Sequence, residues 1–173
     1  MKLLIMGPPG AGKGTQAKIL AQKFNLVHLS TGDILRKEID RNSEVGLKAQ
    51  TYMNAGNLVP DEVLLEMMNS TLTELKDNGV ILDGFPRTIP QADGLSKIFQ
   101  SLNQDIDAII NIEVDKDVLI RRLVERAKNS GRADDTEEVI KNRQNVYLEL
   151  TGRLIEFYHG NIVNIYGDGW IDI

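Results

Sequence analysis

Gly7-Pro8-Pro9-Gly10-Ala11-Gly12-Lys13-Gly14-Thr15 is the stretch on which the reading of this chain turns. It follows a short apolar run, Leu3-Leu4-Ile5-Met6, and precedes a helix-like run over 16–24. Strand, glycine-rich loop and helix in that order are the setting in which such a loop holds phosphate. Gly7, Gly10, Gly12 and Gly14 remove side chains where backbone N–H groups must turn inward around an anion. The N-terminus of the following helix adds partial positive charge. Lys13 adds a full one, as a point charge suited to bridging phosphates. The usual pattern has Ser or Thr directly after the lysine, with its hydroxyl on Mg²⁺. Here Gly14 intervenes and the hydroxyl comes at Thr15, so the loop points to a nucleoside triphosphate and leaves open what holds the metal. The plainer alternative is a glycine-rich turn between a strand and a helix.

The bulk composition bounds the rest. A chain of 173 residues is expected to form one compact domain with small excursions. An apolar content of 42% is enough for a core, and 5% aromatics make that core mostly aliphatic. The net charge of −5 argues against a nucleic-acid partner, so any polyanion must meet a local cluster of Arg and Lys. No Cys is present, which excludes disulfides and thiolate metal sites and fits a reducing compartment. The N-terminal apolar run is too short for a signal peptide. No run approaches the ~20 apolar residues needed to span a bilayer. The expectation is a cytoplasmic protein with neither membrane nor nucleic acid as partner.

Taken in order, the hydrophobic periodicity predicts strands over 2–6, 26–29, 79–83, 107–114 and 162–166. Helices are predicted over 13–24, 31–40, 43–55, 61–76, 90–102, 117–128 and, as one long element, 136–159. Ser30 or Thr31 is the expected cap of the 31–40 helix, with Asp33 in its first turn. Strands alternating with helices imply an α/β three-layer fold of the P-loop NTPase type, a five-stranded parallel sheet with helices on both faces. Ligands in such sheets bind at the C-terminal strand ends. The 7–15 loop and Asp83 both lie at that edge. Two helices with no strand between them, over 30–59, and the polar stretch 127–135 break the rhythm and are expected to be mobile flaps.

Several arginines stand where phosphate chemistry could use them. Arg87 follows a strand-end turn, Arg122 and Arg126 share a helix face, Arg132 lies in the polar stretch, and Arg143 is on the next helix. Phosphoryl transfer needs in-line positioning and positive charge around the moving group more than covalent help. Forked guanidinium groups gathered around Lys13 would supply it. Taken singly, each arginine is most simply a solvated surface residue. His28 and His159 carry no signal beyond a structural role, His28 lining the site at most.

These residues together resemble the adenylate kinases, P-loop nucleoside monophosphate kinases that interconvert ATP and AMP with two ADP. The resemblance runs from Met1 to about Asp172. It rests on Gly7–Thr15, on Leu29-Ser30-Thr31-Gly32-Asp33-Ile34-Leu35-Arg36, on Asp83-Gly84-Phe85-Pro86-Arg87-Thr88, and on Ser130-Gly131-Arg132-Ala133-Asp134-Asp135. It implies a core of 1–29, 60–126 and 136–173, an AMP-binding flap of 30–59 and a short lid of 127–135. It places Gly10, Ala11, Gly12, Lys13, Gly14 and Thr15 around the ATP phosphates, with Arg122 stacked on the ATP base and Gly169 offering backbone to it. It places Thr31, Arg36, Asn57, Leu58, Val59, Gly84, Phe85, Arg87 and Gln91 around AMP. Within that set Arg36 and Arg87 grip the phosphate, and Gln91 bonds the adenine edge. Arg126, Arg132 and Arg143 surround the transferring group, making Lys13, Arg87, Arg126, Arg132 and Arg143 the catalytic set. Asp83 matches the acid that holds Mg²⁺ through water. Thr31 with Gln91 favours AMP over a pyrimidine monophosphate. The short lid leaves no room for the zinc-bearing insertion of some relatives, so no structural zinc is implied, and the implied form is a monomer acting on ATP, AMP and ADP.

Two departures accompany the resemblance. Family members usually carry Pro where Arg153 stands, which is expected to leave the last long helix uninterrupted. They also continue with a further helix where this sequence ends. Without other cover, a few hundred Å² of exposed apolar surface at ~25 cal/mol per Å² would cost several kcal/mol, so the expectation is that the core compensates, that another chain covers the apolar edge, or that the sequence is shortened. The competing readings are a UMP/CMP-type kinase and a nucleotide-binding module without turnover. A GTPase is disfavoured, since no Asn-Lys-x-Asp motif occurs.

Overall fold

The computed structural model describes residues 1–130 and 136–169, with residues 129 and 130 by backbone only. Five parallel strands form one sheet in the order β2-β3-β1-β4-β5, where β1 is Lys2–Met6, β2 Val27–Ser30, β3 Val80–Asp83, β4 Ala108–Glu113 and β5 Ile162–Tyr166. The central strands β1 and β3 are buried at every residue. That is why they read as unbroken apolar runs: side chains alternate between two faces, and both faces are covered. Leu4, Met6, Leu82 and Ile109 pack into one core layer, and Leu3, Ile5, Ile81 and Ile112 into the other.

The helices supply those covers. On the second layer, α1 (Lys13–Phe24) contributes Ala17 and α6 (Lys116–Ser130) contributes Leu119. On the first, α4 (Asp61–Glu74) brings Leu64, Met68 and Leu72, and α5 (Ile89–Ser101) brings Ala92, Leu95, Ile98 and Phe99. Between β2 and α4 lie α2 (Thr31–Asp40) and α3 (Glu44–Asn54), with no strand separating them. Ser30 caps α2 by accepting from the Asp33 N–H, as expected, and Ser43 caps α3 by accepting from the Gly46 N–H.

α2 and α3 come into close contact at Gly46. A Cβ there would overlap the carbonyl of Glu38 and the backbone of Ile39, so only the absence of a side chain permits this crossing. Gly46→Ala is expected to destabilise the protein by ~1–3 kcal/mol, the usual cost of forced overpacking. Thermal unfolding checks it; a midpoint equal to that of the parent would contradict the packing described.

The expected single helix over 136–159 is not what forms. α7 (Glu137–Val146) passes into a π-helical turn, Tyr147–Thr151, and then into a short α8 (Leu154–Phe157). The Gly152 N–H reaches back five residues to the Tyr147 carbonyl at 2.8 Å. The inserted residue keeps both Thr151 and Leu154 facing inward: Thr151 Oγ1 donates to the Arg87 carbonyl at 3.0 Å, and Leu154 is fully buried. Arg153 in place of Pro therefore does not yield a continuous helix, because inward contacts break it one turn earlier. At the sheet edge, Val163 and Ile165 of β5 are 56% and 47% exposed.

Candidate active site

The loop after β1 bends through glycines in left-handed conformations. Gly10 has φ 89° and Gly12, the residue just before α1, has φ 90°. No side chain caps α1 and its first turn carries no acid, so its N-terminal dipole is left to an outside anion. Lys13 folds back over the loop, its Nζ donating to the carbonyls of Gly7 at 2.7 Å and Pro8 at 2.9 Å. Burial is the largest influence on this amine and lowers its pKa from 10.5 to about 7; Asp83 opposes, while Arg87, Arg143 and Arg126 add to the lowering. A group so placed has much to gain from an arriving anion.

Around this loop the C-terminal strand ends build a cleft of about 430 Å³. The end of β2 and the start of α2 contribute His28, Ser30, Thr31 and Arg36; the root of α3 contributes Gly56, Asn57, Leu58 and Val59. Asp83, Gly84 and Arg87 enter from the end of β3, Arg122 and Arg126 from α6, and Arg143 from α7. Five arginines and two lysines thus face one opening in a chain whose net charge is −5. Hydrogen bonds within the fold orient three of the arginines. Arg36 pairs with Asp33 one turn back on α2. Arg87 Nε donates to the Gly84 carbonyl at 2.8 Å, and Thr31 Oγ1 donates to the same oxygen at 2.9 Å. Arg122 donates to the carbonyls of Gly167 at 2.9 Å and Gly169 at 3.0 Å, clamping the loop after β5.

Most residues singled out from the sequence therefore meet in one place, and the exceptions are informative. Ala11 and Phe85 are buried in the two core layers and support the loop and the turn from below. Gly169 does not line the cleft but is tied to it through Arg122. Gln91 is 0% exposed. Its Oε1 accepts from the Arg87 N–H at 2.7 Å and its Nε2 donates to Asp61 Oδ1 at 2.7 Å, so both ends of the amide are engaged beneath the Arg87 turn. Thr88 Oγ1 completes that network by donating to Asp61 Oδ2 at 3.0 Å. Arg132 and lid residues 131–135 lie outside the described residues.

His28, expected to line the site at most, does line it. Its Nε2 stands 3.3 Å from Asp83 Oδ2, at the junction of β2 and β3. The strand period agrees with this: His28 and Ser30 share a face of β2, and both line the cleft. Lys18 and Asp33 also line the cleft and were not assigned to it. Among the described residues no group of three or more His, Cys, Asp and Glu side chains could hold a metal. Asp83 lines the cleft as a hard oxygen donor beside the phosphate loop, its Oδ2 3.3 Å from where a Cβ on Gly14 would sit. One carboxylate facing a phosphate site suits a small hard cation that keeps most of its waters, and so suits Mg²⁺.

Comparison with known proteins agrees with this geometry. A family model described as adenylate kinase matches residues 5–163. An adenylate kinase of Corynebacterium urealyticum is 46% identical over 173 residues, covering 99% of this chain and 93% of its own length. One from Leptospira biflexa is 48% identical over 158 residues, covering 91% of this chain and 85% of its own. One from Prochlorococcus marinus is 46% identical over 170 residues, covering 97% of this chain and 89% of its own.

Proposed function

The chain belongs to the adenylate kinase family and is an ATP:AMP phosphotransferase, and from that premise we propose how its cleft divides the reaction. ATP occupies the phosphate-loop side. Lys13 and the backbone of residues 10–15 hold its phosphates, while Arg122 and the Gly167–Gly169 loop it clamps border the base. AMP occupies the flap side. Arg36 and Arg87 hold its phosphate, and Thr31 with Asn57, Leu58 and Val59 forms the base pocket. Gln91 serves this site from beneath, by fixing the Arg87 turn. Arg126 and Arg143, joined by Arg132, stand around the phosphoryl group in transit. The flap is residues 30–59, the lid 127–135, and the remainder the core. The observation that carries this reading is the convergence of Lys13 with Arg36, Arg87, Arg126 and Arg143 on one cleft.

The chemistry follows from charge and alignment. The attacking phosphate oxygen of AMP and the γ-phosphorus of ATP must lie in line. Negative charge spread over the equatorial oxygens is met by fixed cations rather than by mobile water. The guanidinium groups are always charged and forked, which suits that task. Asp83, with the Thr15 hydroxyl nearby, would hold Mg²⁺ through water; when bound, the ion neutralises phosphate charge and orients the ATP tail. Closure of flap and lid would exclude water and so prevent hydrolysis of ATP.

Incubation of the folded protein with ATP, AMP and Mg²⁺ is expected to yield two ADP per turnover, with CMP and UMP much poorer acceptors and chelation of Mg²⁺ abolishing the reaction. Binding of both nucleotides without ADP would instead identify a module that does not turn over. Equal rates with CMP would move the acceptor assignment to pyrimidines. The reading extends to a cytoplasmic monomer acting on free nucleotides, and sedimentation of the active protein as a single chain would support the monomer.

A further inference from the structure

Resting on that reading, we infer that Asn142 and Gln144, on either side of Arg143 in α7, are positioning residues that fasten the acceptor and donor segments to one helical turn. The Asn142 amide donates to the root of the flap. Its Nδ2 lies 2.7 Å from the Ala55 carbonyl oxygen and 2.9 Å from Asn57 Oδ1. The Gln144 amide points the other way, and its Nε2 lies 2.9 Å from the Pro9 carbonyl oxygen in the phosphate loop. Both side chains are half-buried.

The geometry of the helix explains how one turn serves both. Successive residues of an α-helix are about 100° apart around its axis, so residues 142 and 144 project about 200° apart. Arg143 projects midway between them, into the cleft. α7 thus lies edgewise between the two nucleotide sites. The flap root comes close enough because Gly56 has no side chain. A Cβ there would stand 3.0 Å from the Val139 carbonyl and 3.1 Å from Arg143 Cγ. The π-helical turn that follows adds a third tie, from Thr151 Oγ1 to the Arg87 carbonyl.

Each tie holds a different segment. Asn142 orients the strip from Ala55 to Asn57, which begins the AMP base pocket. Gln144 orients the phosphate loop at Pro9, just ahead of the turn that receives ATP. Arg143, carried between them, keeps a constant position relative to both. Neither amide lines the cleft; they act through the segments that do.

Asn142→Leu and Gln144→Met remove the donors at nearly constant volume. A neutral hydrogen bond is worth about 1 kcal/mol, or roughly fivefold in an equilibrium constant. Steady-state kinetics should then give a crossed pattern. Asn142→Leu raises KM for AMP about fivefold and leaves KM for ATP within about twofold; Gln144→Met does the reverse. Circular dichroism at the assay temperature confirms that both variants are folded. A merely structural role would not sort the two substrates. Parallel shifts of both KM values, a change in kcat alone, or no change overturns the inference. The unsubstituted protein is run alongside with ATP and AMP: inactivity there counts against the proposed function, and the crossed pattern is judged only against its activity.

Discussion

Replacing Lys13 with Met will lower kcat for ATP plus AMP by about three orders of magnitude, the range found when one preorganised charge on a transferring group is removed. The same change will leave the fold intact. Lys13 sits with its pKa lowered to about 7 by burial and by the neighbouring arginines, against 10.5 for a free lysine amine. Between those values the unfolded chain binds a proton that the folded one does not. The stability of the parent therefore rises with pH across that interval, and a protonated Lys13 counts against folding below it. Methionine removes this dependence. The difference in unfolding midpoint, variant minus parent, should be most favourable to the variant below pH 7 and decline as pH approaches 10.5. Thermal scans across pH together with turnover numbers test both halves. Activity within tenfold of the parent would remove Lys13 from the transfer step, and a pH-independent difference would contradict its burial as a strained amine.

Arg87→Ala will reduce kcat/KM for AMP by up to about a hundredfold, since a charge-assisted contact to phosphate is worth up to ~3 kcal/mol. KM for ATP should stay within about twofold. The backbone of Arg87 is secured independently of its side chain: its N–H donates to Gln91 Oε1 and its carbonyl accepts from Thr151 Oγ1. Truncation should therefore leave the turn in place. Arg87→Lys should recover little. It keeps the charge but loses both the fork that matches a phosphate and the bond from Nε to the Gly84 carbonyl. Near-parental efficiency of the lysine variant would mean that charge alone suffices and that the bidentate grip assigned to Arg87 is wrong.

Much of the site could be read early because it is local. The glycines of 7–15 act within nine residues, Ser30 caps a helix that starts beside it, and Asp83 to Arg87 form a single turn. Such features depend on backbone rules that operate over a few positions. Gln91 shows the limit. The family resemblance put its amide on the adenine edge, but the direction of that amide depends on Asp61, thirty residues earlier. Periodicity likewise read 136–159 as one helix, because no local signal marks a π-helical turn. That break is set by what Thr151 and Leu154 meet on the inner side. His28 was expected to line the site at most, and its pairing with Asp83, 55 residues away, was not legible for the same kind of reason.

The amino-acid sequence by itself determined the strand–loop–helix phosphate site, the α/β alternation and the chemical character of the cleft, because these arise from propensity, capping and glycine geometry acting between near neighbours. Tertiary structure alone decided the strand order β2-β3-β1-β4-β5, the burial of Gln91 and the place of α7 between the two halves of the cleft. Those follow from pairings between residues up to 135 positions apart. Such pairings are selected by which apolar faces and polar groups can all be satisfied at once, a condition that no single stretch of chain contains.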